Sequence, residues 1–578
     1  MTTRRLLWII PAVLLVAAAG YTAWLVWQVQ GELRAAETSA SELRSAWRSQ
    51  DDAARDAAAD DLADEAAAAR DHTDGLWWGA LEHLPLVGDD VSAVAAMSRS
   101  LDVIATDAVT PLGETVDRLG TLVADGRIDL DTVESLEDPV GRAHEALVVA
   151  DDDLAGLDSD GYVGALRTRF DRYADLVHDL RAGLASADTA VGVLPTMAGA
   201  DGVRSYLLIF QNNAEIRASG GMPGSWALLR ADDGRIEMTR QGTAADFPTA
   251  ARPVAPLSRE EVAVYGEELG LYFQDPGWTM DFPRSAELWQ AHWDRQFPET
   301  AIDGVVAIDP VALSYLLDGT GPVTVGDVTL TSDNAVEELL NTPYLDADPA
   351  AQDVFFAAAS RSIFDAATGS LASPTAFVEG LNRAADEGRL LVAAFDDAVS
   401  EEIAGTRVEG AMAGDDGATP HVDIGLNDLT GSKMSYYLRY SADVAAMRCQ
   451  SGRQDLAGTL TLSQVITPRD AAELPDSVTG GGRLGTEPGS QYVMVRVYGP
   501  YGGTLDQFRL DGRALGDLET VELDGRPVAS VDVLLSSRKD AVLTWQGTTG
   551  AGQTGPGELA LTPSVVPGAK RSTFASAC

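Results

Sequence analysis

The stretch YLLIFQNNAEIRASGGMPGSWALLRADDGRIEMTR, residues 206–240, decides the fold of the central part of this chain. It opens with YLLIF, a continuous apolar run of strand length, and continues with SWALLRAD and RIEMTR, two further strand-like segments. Asp233-Gly234 separates these two segments, and Asp-Gly is typical of the tight turn of a β-hairpin. The stretch therefore predicts three neighbouring strands.

Strand and helix patterns alternate on the C-terminal side of this stretch. DGVVAIDPVALSYLLDGTGPVTV, residues 303–325, predicts a strand, a helix that begins near Pro310, a glycine turn and another strand. DNAVEELLN begins a further helix, and residues 350–404 contain two or three more. Strands interleaved with helices indicate an α/β domain, which we place at residues 199–412.

The pattern changes again after residue 412. MSYYLRYSADV, LAGTLTLSQVI, QYVMVRVYG, ASVDVLLSS and DAVLTWQG are strand-like and are separated by turns rich in Gly, Pro and Asp. They predict a β-sandwich of immunoglobulin-like size over residues 413–578. The two cysteines of the chain, Cys449 and Cys578, both fall in this part. An oxidising compartment would permit one disulfide between them, and two free thiols are the alternative.

The N-terminus carries an uncharged run from Leu6 to Gly31. As a helix this run would measure about 39 Å, enough to cross a hydrocarbon core of about 30 Å. Arg4 and Arg5 place the N-terminus inside, and Trp24 and Trp27 suit the outer interface. We expect a single-pass anchor (residues 1–31) with the bulk of the chain outside the cytoplasm. A cleaved signal peptide is the alternative, since Ala17-Ala18-Ala19 offers a cleavage site.

Residues 32–198 show helical periodicity and many charges. DDAARDAAADDLADEAAAARD, residues 51–71, has too few large apolar residues to build a core alone. LRTRFDRYADLVHDLRAGL, residues 166–184, repeats its apolar residues near the helical period. These segments predict a helical stalk or bundle, so the expected whole is a multidomain α+β protein.

Composition and missing motifs exclude several functions. The chain has 88 acidic and 42 basic residues, a net charge of −46, which opposes binding to nucleic acid. Its six histidines are scattered without zinc-ligand spacing, and neither a nucleophile elbow nor a GxxxxGK loop occurs. We therefore predict no metal site from spacing, and serine hydrolases, zinc hydrolases and nucleotide-dependent enzymes are disfavoured.

Polar residues follow the first strand of the opening stretch at its exit. If the three strands are neighbours, Arg217 and Arg240 could converge beside the two asparagines and bind a phosphate or diphosphate. The segment GWTMDFPRSAELW, residues 277–289, adds an acid and an arginine before a helix. The candidate ligand-binding residues are thus Asn212, Asn213, Glu215, Arg217, Arg240, Asp281 and Arg284. The alternative is that these side chains only stabilise a loop, with Glu215 pairing with Arg217.

The opening stretch, with PLVGDD upstream and DGVVAIDPVALSYLLDGTGPVTV downstream, resembles the bacterial family called domain of unknown function 4012 (DUF4012). The resemblance runs from about residue 75 to the C-terminus. It implies a membrane-anchored envelope protein and carries no established activity.

The order of strands and arginines also resembles, more distantly, the LytR-CpsA-Psr phosphotransferases. These transfer glycopolymers from polyprenyl-diphosphate carriers to the cell wall with arginines, acidic residues and a divalent cation. The resemblance implies that Arg217 and Arg240 hold phosphates, and that Mg²⁺ could serve as cofactor if the protein is catalytic. Asn213 stands where that family has an acidic residue, and GGMPGS replaces its arginine-serine-aspartate entry to the second strand.

We therefore expect a cell-envelope protein whose α/β domain, the head of the molecule, binds a phosphate-containing, polyprenyl-linked glycopolymer. This binding would serve the export or attachment of surface polysaccharide. An apolar groove beside the candidate residues would favour this function. A structural or adhesion protein that acts through its stalk and sandwich is the alternative.

Overall fold

The computed structural model describes residues 3–49, 51–85, 87–113, 115, 118, 122–124, 126–346, 348–482, 484–516 and 518–578. The chain forms two compact units. The first unit comprises Met1–Thr121 and Asp131–Gly192, and the second comprises Leu122–Leu130 and Val193–Cys578.

The first unit is helical. Alanines and leucines of successive helices pack together in small clusters, one of which contains Ala36, Leu43, Leu62, Ala66 and Ala105. Residues 32–198 are thus mainly helical, as the sequence predicts. The helices from the N-terminus up to the second unit are Thr3–Ser49, Asp52–Thr73, Leu76–Leu81, Gly88–Val103, Thr110–Gly113, Leu130–Ala155 and Gly164–Met197, with a π-helical segment at Ile104–Val109.

The helix Thr3–Ser49 contains the predicted membrane anchor. The side chains of its first part, up to Ala19, lie outside the described part of the structure. Over the residues that were described, no helix combines the length and the apolar character needed to cross a bilayer. The anchor at Leu6–Gly31 stays a prediction.

A seven-stranded mixed sheet organises the second unit, in the order β1-β2-β5-β4-β3-β6-β9. The hairpin between β4 and β5 turns at Asp233 and Gly234, both with positive φ (49° and 79°), which is the Asp-Gly turn expected from the sequence. Strand β3 pairs in parallel with β6 and antiparallel with β4. The strands are β1 Val123–Ala124, β2 Arg127–Ile128, β3 Arg204–Arg217, β4 Gly220–Asp232, β5 Arg235–Thr243, β6 Gly304–Ile308 and β9 Leu390–Ala394.

Helices cover both faces of this sheet. Leu208 of β3 packs with the helix Pro310–Thr320 on one face, whereas Leu207 and Ile209 pack with the helix Phe282–Gln296 on the other. Because successive side chains of a strand point to opposite faces, burial on both faces explains why YLLIF is apolar throughout. The helices of this unit are Arg259–Tyr265, Glu268–Leu271, Phe282–Gln296, Pro310–Thr320, Ala335–Leu340, Thr342–Asp346, Pro349–Thr368, Pro374–Asp386, Asp397–Ile403, Pro468–Ala471 and Asp476–Thr479.

Two further sheets, with orders β16-β17-β13-β10-β19-β20 and β11-β12-β18-β14-β15, pack face to face around one apolar core. This is the β-sandwich expected in the C-terminal part. A separate small hairpin is formed by β7 and β8. The strands are β7 Val323–Val325, β8 Val328–Leu330, β10 His421–Asp428, β11 Leu438–Gln450, β12 Arg453–Gln464, β13 Gln491–Tyr498, β14 Thr504–Leu510, β15 Arg513–Ala514, β16 Thr520–Leu523, β17 Arg526–Leu535, β18 Asp540–Thr548, β19 Gly557–Leu561 and β20 Arg571–Phe574.

The sandwich packs directly on the end of β3. Ile216 belongs to the sandwich core, and the backbone N–H of Ala218 donates to Oδ1 of Asn427 at 3.1 Å. The hydroxyl of Thr562 donates to the carbonyl of Ala218, also at 3.1 Å. The predicted α/β head and β-sandwich therefore form one compact unit.

A disulfide joins Cys449 of β11 to Cys578, as predicted, and closes a loop across a sequence separation of 129. Replacing both cysteines by serine is expected to lower the free energy of unfolding of the second unit by about 2–4 kcal/mol, because the unfolded chain loses a long-range constraint. Urea unfolding checks this, with dithiothreitol treatment of the unaltered protein as the matched condition. Equal urea midpoints for the oxidised, reduced and serine forms would contradict it.

Candidate functional site

A cavity of about 480 Å³ lies in the second unit, between strands β3–β5 and the helices that cover one face of the sheet. Its size falls within the range of about 300–1,000 Å³ that is usual for small-molecule sites. The wall is mainly apolar, with side chains from strands and helices alike. These include Phe210, Trp226, Leu313, Leu339, Phe356 and Ile363.

Polar side chains also line the cavity, and four of them are joined to one another: we call Asn212, Glu215, Tyr344 and Lys433 the polar cluster. Nδ2 of Asn212 donates to the hydroxyl of Tyr344 at 2.8 Å and to Oε1 of Glu215 at 3.4 Å. Nζ of Lys433 lies 3.0 Å from Oε1 of Glu215. The four groups thus form one connected network beside an apolar wall.

The end of β3 is distorted where it carries this network. Pairing with β4 shifts register between Asn212 and Ile216. Within that segment the backbone N–H of Ala214 donates to Oδ1 of Asn212 at 3.0 Å, and the N–H of Ile216 donates to the hydroxyl of Ser435 at 3.3 Å. Side-chain bonds replace ladder bonds here, a common role of Asn and Ser. The distortion brings Glu215 of β3 to Lys433, which precedes β11.

The polar cluster combines one ion pair with neutral hydrogen-bonding groups. Burial, reinforced by the charge of Glu215, raises the pKa of the Tyr344 hydroxyl, so this group stays protonated and can donate. Nζ of Lys433 also lies 4.6 Å from the centre of the Tyr344 ring. Nearby, Oε1 of Gln241 in the cavity wall accepts no hydrogen bond from the described residues. A ligand with hydroxyl or phosphate groups would find both donors and acceptors here.

Arg217 and Arg240 do not converge, although β3 and β5 lie in one sheet on either side of β4. Arg217 pairs with Gly220 of β4 and Arg240 with Leu228, eight residues further along. At 3.3 Å per residue this offset is about 26 Å. Strands that lie in one sheet can end at different levels. The guanidinium groups of Arg217 and Arg240 therefore lie far apart and do not form a common pocket.

The two arginines occupy different surroundings. Arg217 is buried, and its Nη1 donates to the carbonyls of Ile216 (3.0 Å) and Asp428 (3.3 Å). Arg240 is exposed, and its guanidinium lies 3.9 Å from the centre of the Phe297 ring. Neither of them lines the cavity. Arg217 thus makes a structural contact with backbone carbonyls, and Arg240 stacks on an aromatic ring.

Asp281 and Arg284 are also outside the cavity. Arg284 pairs with Glu261 at 2.7 Å and with Glu287 at 2.6 Å. Asp281 precedes the helix Phe282–Gln296, and burial raises the pKa of its carboxyl to about 6. The ion pairs of Arg284 hold the start of this helix in place, whereas the side chain of Asp281 makes no capping hydrogen bond to it.

Asn213 belongs to a buried ionic network next to the cavity. Its Nδ2 donates to Oδ2 of Asp309 at 2.9 Å, and Nη1 of Arg389 lies 2.8 Å from the same oxygen. Nε of Arg389 lies 2.6 Å from Glu387, whose carboxylate also accepts from the hydroxyl of Tyr315 at 2.8 Å. Burial alone would raise the pKa of Glu387, but the hydrogen bonds from Arg389 and Tyr315 hold it below its usual value.

This network connects the cavity to the sandwich. Asp309 also accepts from the N–H of Ala312 and so caps the helix Pro310–Thr320, whose first residue lines the cavity. Arg389 donates to the carbonyls of Ser564 and Val566 at the far end of the chain. The network therefore fixes the cavity wall and the C-terminal segment together.

The donor set at the cavity does not fit Mg²⁺. Two carboxylates line the cavity, those of Glu215 and Asp353, and Lys433 already neutralises the first of them. Across the described ranges, no three His, Cys, Asp or Glu side chains are grouped so that they could hold a metal ion. We therefore derive no catalytic step from these residues.

No local sequence pattern indicates that Tyr344, Arg389 and Lys433 belong to the site or to the adjoining ionic network. Lys433 is one of only three lysines in the chain, which was the available signal. It lies 218 residues after Glu215 (433 − 215), so only the packing of the sandwich against β3 brings the two together.

Comparison with known proteins gives one match. Residues 201–344 match the family model described as "Protein of unknown function (DUF4012)". The predicted relationship to this family is thus confirmed for the segment that contains β3–β6, Asn212, Glu215 and Tyr344. No curated protein and no solved structure matches the chain. The resemblance to LytR-CpsA-Psr phosphotransferases stays a hypothesis.

Proposed function

We propose that the second unit binds a polyprenyl-linked, phosphate-containing glycan at the cavity, in export or attachment of surface polysaccharide at the cell envelope. The observation that carries this proposal is an apolar cavity with a connected polar cluster in its wall. An amphipathic ligand matches this pairing, because its chain and its head group require different surroundings.

The apolar wall suits a branched hydrocarbon chain. Phe210, Trp226 and Phe356 offer flat faces, and Leu313, Leu339 and Ile363 fill the space between them. Burying apolar ligand surface is worth roughly 25 cal/mol per Å². A volume of about 480 Å³ holds the head-proximal isoprene units and leaves the rest of the chain outside. The predicted anchor at Leu6–Gly31 would keep the protein at the membrane that holds such carriers.

The polar cluster suits the head group. Lys433 is a point charge for a phosphate oxygen, while Asn212 and Tyr344 offer neutral bonds to sugar hydroxyls. Because Glu215 competes for Lys433 at 3.0 Å, a phosphate gains only part of the charge of the ammonium group. We therefore propose a carrier-binding protein with reversible affinity, and we assign no transfer reaction to it.

Replacing Lys433 by methionine is expected to weaken binding of farnesyl phosphate about tenfold, or about 1.4 kcal/mol, because the phosphate loses its cation. Binding of farnesol, which has the same chain without phosphate, is expected to stay the same. Tryptophan fluorescence titration of the full-length protein measures both ligands, since Trp226 lines the cavity.

Lys539→Met is the matched control, because Lys539 is exposed and lies outside the cavity. A tenfold loss in that variant too, or none in Lys433→Met, would contradict the assignment of Lys433. Absence of binding for both ligands in the unaltered protein would leave the structural or adhesion function as the better explanation.

A further inference from the structure

An exposed apolar patch lies on the first unit, and we define it as Tyr21, Trp24, Trp27, Leu76 and Trp77. The first three lie on the helix Thr3–Ser49, and the other two begin the short helix Leu76–Leu81. All five side chains are exposed, and Leu76 reaches 98 %. Burying a leucine fully is worth about 1.5–3 kcal/mol, so such exposure in water is unfavourable.

Specific contacts hold the patch in this arrangement. Trp78 is buried against Leu25 and Val29, and its Nε1 donates to the carbonyl of Val91 at 3.1 Å. The neighbouring Trp77 stays exposed, and its Nε1 donates to the hydroxyl of Thr22 at 3.0 Å. Trp78 thus fixes the segment that presents Leu76 and Trp77.

The patch is continuous with the run that the sequence predicts to enter the membrane. Trp77 lies edge to face with Tyr21, with ring centres 5.7 Å apart, and Tyr21 stacks on Trp24 at the same distance. Trp and Tyr concentrate where a membrane-spanning helix leaves the hydrocarbon. Residues 75–85 therefore carry apolar side chains beside Tyr21 and Trp24, the aromatic residues of the helix Thr3–Ser49 that are expected at the membrane interface.

We infer that residues 75–85 form a second membrane contact, which lies in the outer interface beside the anchor and places Leu76 and Trp77 among the lipid head groups. This inference rests on the proposed anchor and is independent of the cavity. Asp71, Asp74 and Glu82 flank the patch, so its partner is a neutral, zwitterionic lipid surface and not an anionic one. With two contacts instead of one, the first helices cannot rotate freely about the anchor.

Depth-dependent fluorescence quenching tests this inference on the full-length chain. Single cysteines are introduced as Leu76→Cys, Trp24→Cys and Val163→Cys and are labelled with an environment-sensitive fluorophore. The native cysteines are joined in the disulfide and do not react in the absence of reductant. Val163 is the matched control, because it is exposed, belongs to the first unit and lies outside the patch. Each protein is reconstituted into phosphatidylcholine vesicles with a shallow spin-labelled lipid.

Interfacial apolar side chains reach about 5–10 Å into the boundary between head groups and acyl chains, within range of a shallow quencher, so labels at 76 and 24 are each expected to lose roughly half their fluorescence. The label at 163 is expected to lose none. Quenching at 24 without quenching at 76 overturns the second contact while keeping the anchor, and would point to a second copy of the chain on the patch. No quenching at either position overturns both, and equal quenching at 163 overturns the specificity of the contact.

Discussion

Replacing Arg389 by methionine is expected to destabilise the second unit by about 3–5 kcal/mol. The guanidinium of Arg389 is fully buried between Asp309 and Glu387, at 2.8 and 2.6 Å. Methionine fills a similar space but leaves the buried carboxylate of Asp309 without its cation and that of Glu387 with only the half-exposed Arg383. It also leaves the carbonyls of Ser564 and Val566 without a donor. The loss of the cation dominates, because a buried unpaired charge is far more costly than a lost contact.

Urea unfolding measures this effect as a lower midpoint with an unchanged slope. Arg383→Met is the matched control, because Arg383 pairs with the same carboxylate, Glu387, at 3.0 Å while its side chain is 52 % exposed. A pair of that kind is worth about 0–1 kcal/mol. Equal destabilisation by Arg389→Met and Arg383→Met would contradict the claim that the buried ion pairs of Arg389 stabilise the second unit more than the exposed pair of Arg383. Adding Asp309→Asn and Glu387→Gln to Arg389→Met is expected to recover part of the loss.

Replacing Gly224 by phenylalanine is expected to weaken binding of farnesyl phosphate at least about 100-fold, which corresponds to about 2.7 kcal/mol. Gly224 lines the cavity, and a Cβ added there would meet no atom within 4 Å. Its φ is outside the positive range, so the backbone accepts a side chain without strain. A phenyl ring would therefore occupy the space of the ligand while the fold is kept.

The same titration as for Lys433→Met measures the effect, with thermal unfolding as the check on folding. Gly414→Phe is the matched control, because Gly414 is exposed, has equally open space and lies outside the cavity. Unlike Lys433→Met, Gly224→Phe is expected to abolish binding of farnesol as well, since it acts on the chain and not on the phosphate. Unchanged binding in Gly224→Phe would show that the ligand binds elsewhere.

The sequence predicts those parts of the fold that depend on neighbouring residues. YLLIF predicts a strand buried on both faces, and Asp233-Gly234 predicts the turn of the hairpin, because both signals are local. The cysteine pair is predicted because two cysteines allow a single pairing. The match of residues 201–344 to the DUF4012 family model is predicted from the same stretch.

The candidate site is predicted only in part, because it depends on tertiary packing. Asn212 and Glu215, polar residues at the exit of β3, line the cavity, and their binding of a ligand stays a prediction. Tyr344 and Lys433 come from distant segments, and no local pattern indicates that they meet β3. Arg217 instead donates to backbone at the start of the sandwich, since the end of β3 is buried there.

Native mass spectrometry of the full-length protein shows directly whether the cavity holds a lipid-linked carrier. The protein is extracted with detergent from the cells that produce it and is compared with Gly224→Phe. We predict an adduct with the mass of a polyprenyl phosphate or its glycosylated form on the unaltered protein and none on the variant. If neither protein carries such an adduct, and added decaprenyl phosphate binds to neither or equally to both, binding of a carrier in the cavity is contradicted.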